Sequence, residues 1–176
     1  DCDNDSTSTR NYYLVLHRGS VDINKSIYFS LSAYDRIKTS SVSVSISGTA
    51  SNKGNRSISM SGVDSSVISV NLINDTKIPN KAIVTSISSS GTQSPSQGNV
   101  HHMIMPASNS IWYTSTVSSA SSGHYNIDVD DGIPVKQKWS FKYNALATAK
   151  STMRNVKLTI GFQYDLHDTD YKTYIR

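Results

Sequence analysis

The run VKQKWSFKYN at 135–144 sets Val135, Gln137, Trp139, Phe141 and Tyr143 on one side of a two-residue period, and Lys136, Lys138, Ser140 and Lys142 on the other. Successive side chains of a β-strand point to opposite faces, so this stretch reads as a strand with an aromatic face and a lysine face. The period returns in RNVKLTIGFQYD at 154–165, where Val156, Leu158, Ile160, Phe162 and Tyr164 alternate with Asn155, Lys157, Thr159, Gly161 and Gln163. Two long strands joined by a short segment imply an antiparallel pair. Between them ALATAKST has the one helix-like composition in the chain, enough for a single short turn.

Working outward, the same alternation recurs at close intervals. NYYLVLH (11–17), SIYFSLSA (26–33), SSVSVSISG (40–48), NRSISMSG (55–62), SSVISVNL (65–72) and AIVTSIS (82–88) precede NVHHMIM (99–105), SIWYTSTVS (110–118) and HYNIDV (124–129). DYKTYIR (170–176) reads as an edge strand, and SSSGTQSPSQGN (88–99) as an exposed loop. About eleven or twelve short strands separated by turn residues predict an all-β fold with little or no helix, a single-domain antiparallel β-sandwich of jelly-roll or immunoglobulin-like type. Residues 1–10 read as a flexible polar tether, and 11–176 as the sandwich domain.

Composition agrees. All 13 acidic residues are Asp and none is Glu; Glu populates helix surfaces, whereas Asp belongs to caps and turns. Charged residues make up only 17% of the 176, and Ser, Thr and Asn supply the polarity. The net charge of +4 comes without a run of Lys and Arg, which argues against a nucleic-acid arm. No stretch approaches 18 apolar residues, so no helix spanning a membrane is expected. The single cysteine, Cys2, excludes a disulfide within the chain. Followed by a polar acidic stretch, it resembles the lipid-bearing cysteine of a mature bacterial lipoprotein, although Asp1 stands where a lipobox carries a small residue. The other reading of Cys2 is an external disulfide or a free thiol.

Four groups of residues are candidate sites. Lys136, Lys138 and Lys142, with Lys157 on the presumed partner strand, would form a cationic face able to hold an anionic ligand, or simply the wet side of a sheet. NIDVDDG at 126–132 resembles a calcium loop, with Asn126, Asp128 and Asp130 at the first, third and fifth positions. Asp131 takes the place of the glycine and Gln137 that of the bidentate acid, so a strand ending in a turn is the competing reading. Trp112 and Tyr113, with His124 and Tyr125, are aromatic residues near loops, where sugar faces stack on rings. His101 and His102, being adjacent, must face opposite ways in a strand and cannot chelate one ion together.

No HExxH, CxxC, GxSxG, Walker or dinucleotide motif occurs, so no enzymatic activity and no cofactor beyond calcium are expected. In its Ser/Thr-rich strands and scarce charge the chain looks like the β-sandwich domains of bacterial surface adhesins and pilus subunits. That resemblance implies a secreted or cell-surface domain used in adhesion, assembly or virulence. Its partners would be a host-surface glycan, a protein receptor or further copies of itself, and not nucleic acid. A second reading takes the Ser-rich segment 40–62 as a β-hairpin resembling the insertion segments of aerolysin-type pore-forming toxins, with a membrane surface as partner. A third is a viral coat or spike domain, since jelly rolls share the pattern.

Overall fold

A strand with one apolar face must bury that face against another layer, and here two layers do so. The computed structural model describes residues 36–98, 100–115 and 124–166, together with Gly19, Ser20, Asn24, Ser26 and Tyr28 singly. The chain divides into two units, Asp1–Tyr34 and Asp35–Arg176, and the fold below is that of the second. The tether at 1–10, Cys2 and the strands expected at 11–17 and 170–176 lie outside the described residues, as does nearly all of 26–33.

Ten strands are described: β1 (Ile37–Ile46), β2 (Ala50–Asn52), β3 (Val63–Asp64), β4 (Ile68–Asn71), β5 (Ile83–Ser94), β6 (Val100–Pro106), β7 (Tyr113–Thr114), β8 (Tyr125–Asn126), β9 (Lys138–Ala145) and β10 (Ser151–Asp165). The described residues contain no helix, so the turn expected in 145–152 is absent; Ala145 ends β9, 146–150 is a loop, and Ser151 and Thr152 begin β10. One sheet runs β1-β10-β5-β8, with β2 also on β10; the other runs β3-β9-β6-β7, with β4 also on β9. Every pairing is antiparallel, and the two sheets pack as a β-sandwich.

The expected pairing of 135–144 with 154–165 is corrected. β9 and β10 are central strands of different sheets. Alternation states which face of a strand is apolar and says nothing about its neighbour, so a short connection can arch between layers as readily as it can close a hairpin. Trp139, Phe141 and Tyr143 of β9 meet Val156, Leu158, Ile160 and Phe162 of β10 in one core, all at most 1% exposed. The polar atoms carried into that core are satisfied. Trp139 Nε1 donates to the Val135 carbonyl at 3.0 Å, and Tyr143 Oη bonds Ser151 Oγ at 2.9 Å, linking the two sheets beside the arch.

Two further expectations change. The loop read at 88–99 is strand as far as Ser94, because β10 supplies the backbone partners and serines suit the wet face. The strand read at 55–62 is a loop, so 40–62 is no hairpin; β1 and β2 both pair with β10 instead. The alternation expected from Asn155 to Gln163 holds, and a bulge breaks its phase with the start of β10. Asn155 has φ 53°, the register shifts between Arg154 and Lys157, and Met153 and Val156 are both buried across this bulge.

Candidate functional site

The segment 125–135 runs beside the outer edge of β5. Tyr125 and Asn126 pair with Ser89 and Ser88, and Ile127 N donates to the Ile87 carbonyl at 3.0 Å. The two chains rejoin where Val84 N donates to the Ile133 carbonyl at 2.9 Å and Val135 N to the Ala82 carbonyl at 3.0 Å. Between these points β5 advances from Ile87 to Val84 while its neighbour advances from Ile127 to Ile133. The excess length must leave the sheet, so 128–132 bows outward, and Gly132 with φ 77° turns it back. At the same place the register between β5 and β10 shifts, and both Thr85 and Ser86 are exposed instead of alternating.

The bow opens a cleft of about 680 Å³. Asp128, Asp130 and Asp131 line it from the loop, Thr85 and Ser86 from the β5 bulge, and Asn126 and Gln163 from β8 and β10. The apolar floor comes from Ile83, Ile87 and Val129, and no aromatic ring is among the lining residues. The strand edge of the other sheet holds the loop: Tyr113 Oη donates to Asp130 Oδ2 at 2.5 Å and accepts from Asn109 Nδ2 at 2.7 Å. The bond to Asp130 pushes the Tyr113 phenol above its usual range, so it stays a donor. Three carboxylates within a few residues make this a local acceptor-rich surface on a chain of net charge +4.

The sequence-derived candidates separate. Tyr113, Asn126, Asp128 and Asp130 come together at this cleft. His124 is exposed and Tyr125 is buried at 2% exposure, against His102. Asn126, Asp128 and Asp130 line the opening, but among the described residues no group of three or more His, Cys or Asp side chains is placed to hold a metal ion. The turn expected at 130–132 is present.

The single lysine face is corrected, because β9 and β10 lie in different sheets. Lys138 and Lys142 are on the outer face of one sheet and Lys157 on the outer face of the other. Lys136 bonds Asn80 Oδ1 at 2.5 Å. Lys142 is pinned between Asp64 Oδ2 at 2.5 Å and the Trp112 ring, 4.4 Å from its centroid. Partial burial pushes the Asp64 carboxyl up, but hydrogen bonds from Lys142 and Asn144 and the lysine charge outweigh it and hold the carboxyl below its usual range. Trp112 therefore serves as the cover of a lysine.

Sequence reasoning passed over His102, beyond placing it opposite His101. It is fully buried, stacked on Tyr125 at 3.7 Å and edge-on to Phe141 at 5.1 Å. Nδ1 bonds Ser89 Oγ at 2.8 Å, and Nε2 is buried with no partner. With Ser89 at 1% exposure, this Ser–His pair is closed to any substrate.

No protein-family model matches the chain. Over 159 residues, 90% of its length, it is 49% identical to the uncharacterized protein YbdN of Bacillus subtilis (strain 168). Those residues make up 55% of that relative, so the chain spans about half the length of the curated protein it is similar to.

Proposed function

We propose that this chain is a non-enzymatic binding domain of a secreted or cell-surface protein, and that it takes a hydroxyl-rich glycan in the cleft at 126–132. The observation that carries the reading is the acceptor-rich lining, with Asp130 held in place by Tyr113. Carboxylates accept but do not donate, so the complementary ligand must bring donors, and a sugar brings them in pairs. Hydrogen bonds to charged acceptors are the strong ones, contributing about 1.5–3 kcal/mol each. The apolar floor of Ile83, Ile87 and Val129 suits the C–H face of a sugar ring. The cleft sits where two chain segments part at a bulge, a rigid setting that needs little ordering on binding.

The test is a glycan array followed by calorimetry on the hits. Asp128→Asn and Asp130→Asn keep the size of each side chain and remove its charge, and each should weaken binding about tenfold or more. A chain that binds no glycan, or glycan binding indifferent to both changes, would defeat the proposal.

A further inference from the structure

The loop 53–62 exposes what a soluble surface usually hides. Met60 is 96% exposed and Ile58 78%, with Leu146 of the neighbouring 146–150 connection at 38%. Ile58 also adopts φ 53°, a left-handed backbone that a β-branched residue rarely occupies. The loop is nonetheless firmly built. Asn55 N donates to the Ala147 carbonyl at 2.9 Å, and Asn55 Nδ2 donates to the Ser59 carbonyl at 2.8 Å and the Leu146 carbonyl at 3.2 Å. Ser59 N returns a bond to Asn55 Oδ1 at 2.8 Å. Gly54 lies so close to the Thr148 carbonyl that a Cβ there would stand 2.3 Å away. Strain of this kind persists only where surrounding bonds impose it, and here they impose the display of an apolar side chain.

The unpaired charges of these two segments are cationic, and the neighbouring acid, Asp64, which shares the Asn144 amide with the Ser61 carbonyl, is already neutralised by Lys142 at 2.5 Å. Lys53, Arg56 and Lys150 are exposed on the two segments, while 47–63 and 145–164 contain no acidic residue. Exposed apolar side chains with cations on the same segments are the pattern of a shallow membrane anchor: side chains enter the headgroup boundary and cations meet anionic lipid. The apolar groups are few and stand on a loop tip, which needs no matching pocket in its partner. A stable protein partner would require about 800 Å² of fitted surface on each side. We propose that the 53–62 loop and the 146–150 connection form a docking surface for an anionic lipid bilayer, with Ile58 and Met60 inserted and Lys53, Arg56 and Lys150 at the phosphates.

Sedimentation of the full chain with phosphatidylcholine vesicles, with and without phosphatidylglycerol, tests this at low and high salt. The chain should pellet with the anionic vesicles at low salt and far less with the neutral ones. The double variant Ile58→Asn/Met60→Ser should lower the partition coefficient by about tenfold per side chain. It keeps the fold, because both residues are exposed and Asn accepts the left-handed backbone. The triple variant Lys53→Gln/Arg56→Gln/Lys150→Gln should lower it by about fivefold per charge. No pelleting with anionic vesicles at low salt would overturn the proposal. So would pelleting that the double variant leaves unchanged, since charge alone would then explain it. Retention on an immobilised acidic polymer that depends on Ile58 and Met60, without vesicle binding, would assign the surface to a different partner and overturn it as well.

Discussion

Mild acid should loosen this fold before most of its carboxylates titrate, through His102. The imidazole is 0% exposed, packed between Tyr125 and Phe141, and burial pushes its pKa down to about 3. In the unfolded chain it returns to about 6.5. The unfolded state therefore binds the proton first, and the stability it contributes is complete above about pH 6.5 and falls steadily as the pH drops towards about 3. The loss works out at about 2 kcal/mol by about pH 5 and about 3 kcal/mol by about pH 4. Against a total stability of about 5–15 kcal/mol for a domain, that is a large fraction. The titratable ring facing the site is Tyr125, whose phenol is pushed up by burial and stays neutral throughout. Asp64, held below its ordinary range, adds its own loss only at more acid pH. Urea unfolding at a series of pH values measures the effect. His102→Phe keeps a ring between Tyr125 and Phe141; it leaves Ser89 Oγ without its partner and so lowers stability at neutral pH by about 1–3 kcal/mol. Its slope between about pH 6.5 and pH 4 should nevertheless flatten. An equal slope in the variant, or a wild-type midpoint constant from pH 7 to 5, would refute the reasoning.

Other substitutions separate neighbouring cases. Gly54→Ala should destabilise by about 2–4 kcal/mol, because φ is 83° and the new Cβ meets a backbone carbonyl. At Gly161 the Cβ would also come within 2.3 Å of an atom, but that atom is the Ser86 hydroxyl, which can rotate away; Gly161→Ala should cost about 1 kcal/mol or less by the same denaturation assay. Ile58→Asn should stabilise by about 1 kcal/mol by relieving the left-handed backbone, read as a raised melting temperature. Lys142→Ser should cost about 1 kcal/mol, since Asp64 and the Trp112 ring both lose their cation, whereas Lys157→Ser should leave the urea midpoint unchanged. Tyr113→Phe should weaken glycan binding several-fold at an unchanged melting temperature, because it frees an exposed carboxylate from its donor.

The legible part of this fold was the inward face of each long strand. Trp139, Phe141 and Tyr143, and Val156 to Phe162, are where a two-residue period puts them, because burial of alternate side chains leaves that mark in sequence. Partnership was illegible: nothing in VKQKWSFKYN states that its neighbours are β4 and β6 rather than β10. Ile58 and Met60 imitate a strand at two-residue spacing, yet the carbonyls of 146–147 and the Asn55 amide decide that segment. At the candidate cleft the turn residues 130–132 were readable, and so were its acids. Its depth depends on unequal chain lengths between two remote contact points, 84–87 and 127–133, which no local pattern encodes. His102 was missed for the same reason, since its burial depends on Ser89 and Tyr125 from the opposite sheet.

The place of β10 also orders events in time. The sheet β3-β9-β6-β7 is complete once residue 145 has been synthesised, but β10 lies between β1 and β5 in the other. Until residue 165 emerges, β1 has no strand beside it in its sheet and β5 has only β8 and the 127–135 segment along its far side, so both long strands keep an open backbone edge. Such waiting strands are the hazard of a fold closed by distant pairing, since unpaired edges recruit other chains. Ser41, Ser43 and Ser45 on β1 and Ser86, Ser88 and Ser90 on β5 keep those strands poor in the large apolar groups that would glue them to a stranger. The serine richness of this chain thus protects the nascent protein through the interval before its central strand arrives.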